Sequence, residues 1–408
     1  MGESHVVDVS DPIGTLALIL VVGLVARLLA DALRVPEMLL LVGAGALLGP
    51  SALGWLDVPL ASEGADVLFT LGVSFILFHG GLGTSLRVLR RIAVGLGLLA
   101  VPGMLITAAV TGAVATVVFD LPLLHGLLIG AVLAPTDPAI LIPLFDRLGL
   151  RKKLSQTIVA ESALNDTTGA VLVLALASGI LGGDTSLSTP VFEFVIDLAI
   201  STGLGVVFGI VLSLAVSSGR AGIWRESSAI AVVAVVAGGF VSIDFAGGSG
   251  YLGAFLAGLI VRNMDLLKLE MHGHHEAEAR TLVAALADVV VILVFVVVGA
   301  NIPFSTLWDE LLPVLAVVAT LLFVARPLTI MACLLPDRHG RWTRRELLFM
   351  GWARETGVVP AALAGILVGM GVPDADLVTI TVAAALVVTL LVQTTTKPWL
   401  ARRLDLLE

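Results

Sequence analysis

The chain has 408 residues, 58% of them hydrophobic and only 13% charged, with a mean hydropathy of +1.06. This composition excludes an ordinary water-soluble domain and places the chain among polytopic membrane proteins. A single cysteine, Cys333, excludes an internal disulfide framework and a cysteine-built metal cluster, while the net charge of −9 decides little because membrane proteins segregate charge by side.

Residues 1–12 carry Glu3, Asp8 and Asp11 and no Lys or Arg, unlike the basic start of a signal peptide, so no cleavage is expected. Thirteen apolar segments follow, each long enough or nearly so to span ~30 Å of hydrocarbon. Six run over 13–30, 38–55, 67–83, 92–119, 124–144 and 155–181. A seventh covers 191–216, and six more cover 227–243, 250–261, 281–300, 311–335, 347–368 and 377–399. Of the 23 basic residues, Arg326 and Arg354 fall in the middle of segments. The others, from Arg27 and Arg34 to Lys397, Arg402 and Arg403, gather at alternate connections. The positive-inside rule then sets the N-terminus outside and the C-terminus in the cytoplasm.

Two segments are interrupted in mid-course, the fifth by A-P-T-D-P (134–138) and the twelfth by A-R-E-T-G-V-V-P (353–360). Proline removes an amide donor, so backbone groups at membrane depth must be satisfied by protein, ion or water. The breaks lie seven segments apart, an odd offset that reverses orientation. Inverted repeats of helices 1–6 and 8–13 are therefore expected, with helix 7 as linker and the interrupted helices 5 and 12 crossing near the midplane.

The sixth segment carries V-A-E-S-A-L-N-D-T-T (159–168). Ser162 and Asp166 are four residues apart and share one helix face, and Glu161 and Asn165 share the adjoining one. An ionisable side chain at this depth costs at least ~2.5 kcal/mol, which makes the stripe a functional site by default. Carboxylate, amide and hydroxyl oxygens suit a hard cation, and Thr136 and Asp137 at the first break add more. In a low-dielectric pocket a carboxylate without its cation tends to take a proton, so one group binds either, not both. Arg326 needs a buried partner, with Glu161, Asp166 and Glu355 as candidates. Glu161 is assigned the structural pair and Asp166 the exchange, although sequence alone does not choose between them.

With these residues in place, the chain resembles the monovalent cation/proton antiporters of the Na+/H+ exchanger-like superfamily. The resemblance rests on P-E-M-L-L-L-V-G-A-G-A-L-L-G-P (36–50), I-L-F-H-G-G-L (76–82), A-P-T-D-P, E-S-A-L-N-D (161–166), G-S-G-Y-L-G-A-F-L-A-G-L (248–259) and Arg326. The Asn165-Asp166 pair is similar to that of the electroneutral branch. The resemblance implies exchange of Na+, or of Li+ or K+, for H+, one for one, by elevator-like movement in a homodimer. It implies that Asp166 binds cation or proton, assisted by Asp137, Thr136 and Ser162, with Asn165 orienting the site and Glu161 paired with Arg326. It further implies a transport domain of helices 4–6 (91–182) and 11–13 (306–400). Helices 1–3 (1–90) and 7–10 (183–305) would form the dimerisation domain, and 401–408 a short cytoplasmic tail. Relatives of this branch carry an L-R-G-A-type sequence at the second break. Arg354 matches it, whereas Glu355 adds an acid where a small residue is usual.

The expected setting is the inner membrane of a prokaryote, with monovalent cations, protons and lipid as partners. No nucleic acid, cofactor or enzymatic reaction is expected. The more distant alternative is a sodium-coupled organic-anion transporter in which the two intramembrane arginines hold substrate. Asp197 and Asp288 read as interfacial or helix-pairing acids. Met271–Glu276 reads as a solvated cytoplasmic loop whose His272, His274 and His275 could sense pH. Gly238–Gly239 and Gly247–Gly253 read as close helix packing.

Overall fold

The computed structural model describes residues 12–33, 35–59, 62–136, 141–142, 144–145, 148–182, 188–219, 222–270 and 273–408. Among the described residues, eight helices are long and apolar enough to cross a membrane, and five shorter apolar helices accompany them. Together they account for the thirteen segments, and the chain is a multi-pass membrane protein.

The first six are α1 (Pro12–Leu33), α2 (Glu37–Leu48), α3 (Glu63–Gly83), α4 (Leu86–Val118), α5 (Leu123–Leu133) and α6 (Lys152–Ile180). Next come α7 (Ser188–Val216), α8 (Ser228–Phe245), α9 (Gly250–Arg262) and α10 (Gly273–Ala300). Then follow α11 (Leu311–Leu334), α12a (Arg344–Trp352), α12b (Val358–Gly369) and α13 (Ala375–Arg403).

The helices pack in two groups. In one, α9 lies against α3 and α7, and α10 against α2 and α3. The α3–α9 contact is backbone on backbone. A Cβ on Gly258 would sit 2.2 Å from the Phe78 carbonyl oxygen, and one on Gly81 would sit 2.2 Å from that of Phe255. In the other group α4 packs on α5 and α11, α5 on α6, and α13 on α5 and α11. Seven helices apart, α4 and α11 each widen into a π turn, at Leu99–Gly103 and Leu321–Ala325, near Pro102 and Pro327 respectively. Thr107 and Thr329 meet hydroxyl to hydroxyl at 2.9 Å across them. This matched pair is an imprint of the inverted repeat.

Several expectations are corrected. The tenth helix starts at Gly273 rather than Thr281, because the polar stretch before Thr281 still forms good helix, so His274 is an exposed helical residue and not part of a loop. His272 and the side chain of His275 lie outside the described residues. The second break is shorter than 353–360. Helix resumes at Val358, with Pro360 in the first turn, where its missing donor is not needed. Gly250 and Gly253 do pack tightly, on Phe240 and Ile243. Gly238, however, meets nothing within 4 Å, and Gly247 sits in a turn at φ +83°. Residues 401–408, read as a short cytoplasmic tail, pack on the start of α6. Leu407 bridges Leu150, Arg151 N–H donates to the Leu406 carbonyl at 3.0 Å, and Glu408 Oε1 accepts from the Lys152 amide at 3.0 Å, capping α6.

Of the two intramembrane acids on the flanks, Asp288 on α10 faces Arg27 of α1 at 3.6 Å, and Arg27 also holds Glu37 at 2.8 Å. Asp288 is thus a helix-pairing acid.

Candidate functional site

The first break follows from Pro135, which ends α5 at Leu133. The second runs from Ala353 to Gly357 without regular structure between α12a and α12b. Each break leaves the carbonyl end of a half-helix inside the membrane, unsatisfied and carrying partial negative charge. An arginine meets each end. Arg354, 1% exposed, donates from Nη1 and Nη2 to the Ala134 carbonyl at 3.0 and 2.8 Å, and from Nη2 to that of Leu133. Arg326 follows the π turn of α11 and donates from Nε to the Met350 carbonyl at 3.1 Å and from Nη2 to that of Ala353 at 3.4 Å.

Glu161 is clamped bidentately by Arg326, with Nη2 to Oε2 at 2.9 Å and Nη1 on Oε1. Ser162 and Asn165 turn to the first break. Thr136 Oγ1 lies 2.7 Å from Ser162 Oγ and accepts from Asn165 Nδ2 at 3.0 Å, while the Thr136 amide donates to Asn165 Oδ1 at 3.3 Å. A carboxylate at position 165 could accept here but not donate. Asp137 lies outside the described residues.

Asp166 is 2% exposed. It lines a cavity of about 140 Å³ walled by Ala170 and Leu174 of α6, by α12b from Val358 to Ile366, and by Val73, Asp197, Ser249 and Tyr251 of the other helix group. A second cavity, of about 410 Å³, opens at the Lys152 end of α6, between Gln156 and Val159 on one side and His79 and Arg280 on the other. Both lie where the two helix groups meet.

The second break holds a further ion pair. Glu355 binds Lys397 of α13, both 0% exposed, and its Oε1 accepts from Thr394 Oγ1 at 3.2 Å. Lys397 was expected at a cytoplasmic connection. Instead it lies within α13, just past a π turn at Thr389–Thr394, and is buried by Glu355. The unusual acid of the second break is thereby matched by an equally unusual lysine. The signal was present in Q-T-T-T-K (393–397), which sets Gln393 and Lys397 four residues apart on one helix face like Ser162 and Asp166. Both membrane arginines engage protein oxygens.

Comparison with known proteins gives the family. The chain is 30% identical over 377 residues to the K(+)/H(+) antiporter NhaP of Alkalimonas amylolytica, covering 89% of this chain and 61% of that protein. It is 28% identical over 362 residues to the Probable Na(+)/H(+) antiporter 2 of Methanocaldococcus jannaschii, covering 86% and 83%. The chain spans about three fifths of the length of several curated relatives it matches. Its fold superposes on the sodium proton antiporter MjNhaP1 from Methanocaldococcus jannaschii at pH 8 with a TM-score of 0.77 and 25% identity, over 96% of this chain and 98% of that one. Residues 16–402 match the family described as sodium/hydrogen exchanger, transmembrane, and with its paired broken helices and the E-S-x-x-N-D stripe between them the chain belongs to that family.

Proposed function

We propose that the chain is a secondary antiporter that exchanges a monovalent cation for a proton, one for one, with Asp166 binding either in turn. One observation carries the reading. Asp166, 2% exposed in the polar stripe of α6 next to the first break, lines a cavity where the two helix groups meet, the place from which a bound ion can change sides. Thr136, Ser162 and Asp137 supply further oxygens to the cation. Asn165 keeps the site to one exchanging charge, because its amide both accepts from and donates to Thr136.

Helices 4–6 and 11–13 form the moving transport domain and the remainder the dimerisation domain of a homodimer, in the inner membrane of a prokaryote with the N-terminus outside. The larger cavity at the basic end of α6 and the smaller one beyond Asp166 fit a state open to the cytoplasm, and a shift of one helix group against the other would exchange their access. Relatives are named for both K+ and Na+, and an all-oxygen site accepts either, so K+/H+ exchange fits the same geometry.

The test is a screen of Na+, K+ and Li+ on reconstituted protein with a pH-reporting dye, with and without a clamped membrane potential. Saturable cation-driven proton flux, indifferent to the potential, is expected. Proton flux that follows the potential would overturn the one-for-one exchange, and cation flux without proton movement would overturn the antiport.

A further inference from the structure

We infer that Asp197 is a second carboxylate of the ion path, placed on the outer side of Asp166, where it collects monovalent cations before they reach the exchanging acid. This rests on the antiport reading above. It gives a function to an acid that the sequence presents as an interfacial or helix-pairing residue.

Three observations carry it. First, Asp197 lines the same cavity of about 140 Å³ as Asp166, in walls otherwise built largely of apolar side chains such as Val73, Leu174 and Leu363. The charged residues lining that cavity are these two acids, so its field favours cations and raises their local concentration. Second, Asp197 is held as an acceptor. Its Oδ1 takes the Ser249 amide at 2.6 Å and lies 2.8 Å from the Ser201 hydroxyl. The α8–α9 turn, with Gly247 at φ +83°, brings that amide to it. Among the described residues no lysine, arginine or histidine forms an ion pair with it, unlike Asp288, which faces Arg27. Third, the cavity has a direction. Ala170 and Leu174 lie one and two turns beyond Asp166 toward Ile180, away from the basic Lys152–Lys153 end of α6.

A cation arriving from the face opposite the basic end therefore meets Asp197 first. The two acids stand on different helix groups, Asp166 on α6 and Asp197 on α7. A shift of one group against the other would then separate them, so Asp197 serves the site only while it is open outward.

The effect must accordingly be one-sided. Right-side-out and inside-out membrane vesicles containing the full chain are titrated with NaCl and with KCl while proton flux is followed. Asp197→Asn keeps an oxygen for Ser249 and removes the charge. It is expected to raise the apparent KM for the cation at the outer face about tenfold, in keeping with the loss of local enrichment, and to leave the inner-face KM unaltered. Should that variant fail to accumulate, Asp197→Cys treated from outside with an anionic methanethiosulfonate restores the outer-face KM. A cationic reagent of the same size does not, and Cys333, being buried, serves as the internal control. An unchanged outer KM, an equal rise at both faces, or no effect of the reagents on the Cys variant overturns the inference while leaving the antiport reading intact. Wild type without exchange from either face overturns that reading, and this inference with it.

Discussion

Replacing Lys397 by methionine strands Glu355, which is 0% exposed and whose other bond is the Thr394 hydroxyl at 3.2 Å. Removing one member of a buried pair costs on the order of 3–5 kcal/mol. At an unfolding entropy of ~2.1 cal/mol/K per residue, a chain of 408 residues loses about 4–6 °C of melting temperature for that cost. A membrane protein that keeps helix on unfolding has a smaller entropy, and the drop is then larger. The double variant Glu355→Leu with Lys397→Met removes both charges and leaves apolar groups of similar volume, which is near neutral or stabilising. The assay is the apparent Tm of the purified protein in detergent, with wild type, both single variants and the double variant forming one cycle. A Lys397→Met protein that melts with wild type, or a double variant less stable than either single one, would refute the reasoning.

Two further outcomes follow from the same geometry. Gly258→Ala puts a Cβ 2.2 Å from the Phe78 carbonyl oxygen, which is backbone and cannot yield, so the α3–α9 contact must open and the protein should elute aggregated in size-exclusion chromatography. Gly238→Ala, with nothing within 4 Å, should elute as wild type. Thr136→Val deprives Asn165 and Ser162 of their shared hydroxyl at the first break. It should raise the cation KM roughly tenfold, equivalent to ~1.4 kcal/mol, and an unchanged KM would remove Thr136 from the site.

The membrane segments were legible in the sequence because a span of hydrocarbon leaves a hydropathy signal that polar loops interrupt, and both breaks were legible because Pro135 and the Gly357–Pro360 stretch announce them. The π turns were not, since a shift from i+4 to i+5 bonding leaves no fixed residue pattern. The start of α10 was missed because H-G-H-H-E-A-E-A-R forms helix without being apolar. Glu161 and Asp166 could not be told apart by spacing alone, as both fall on one polar stripe while Arg326 is 165 residues away from its partner. Only the packing of α11 against the end of α12a decides which acid faces the guanidinium. Lys397 was hidden by its position, because a lysine close to the basic end of a segment resembles a cation that reaches out to the interface. Docking of residues 406–408 on 149–152 rests largely on backbone groups and a cap, which composition does not record.

Competition between cation and proton at Asp166 is the centre of the account, and it is most directly measured as proton release when cation is added to purified, weakly buffered protein. Wild type should release close to one proton for each cation bound, and Asp166→Asn, with the same melting profile, should release none. Undiminished release from the Asp166→Asn protein would contradict the account and move the exchanging group elsewhere.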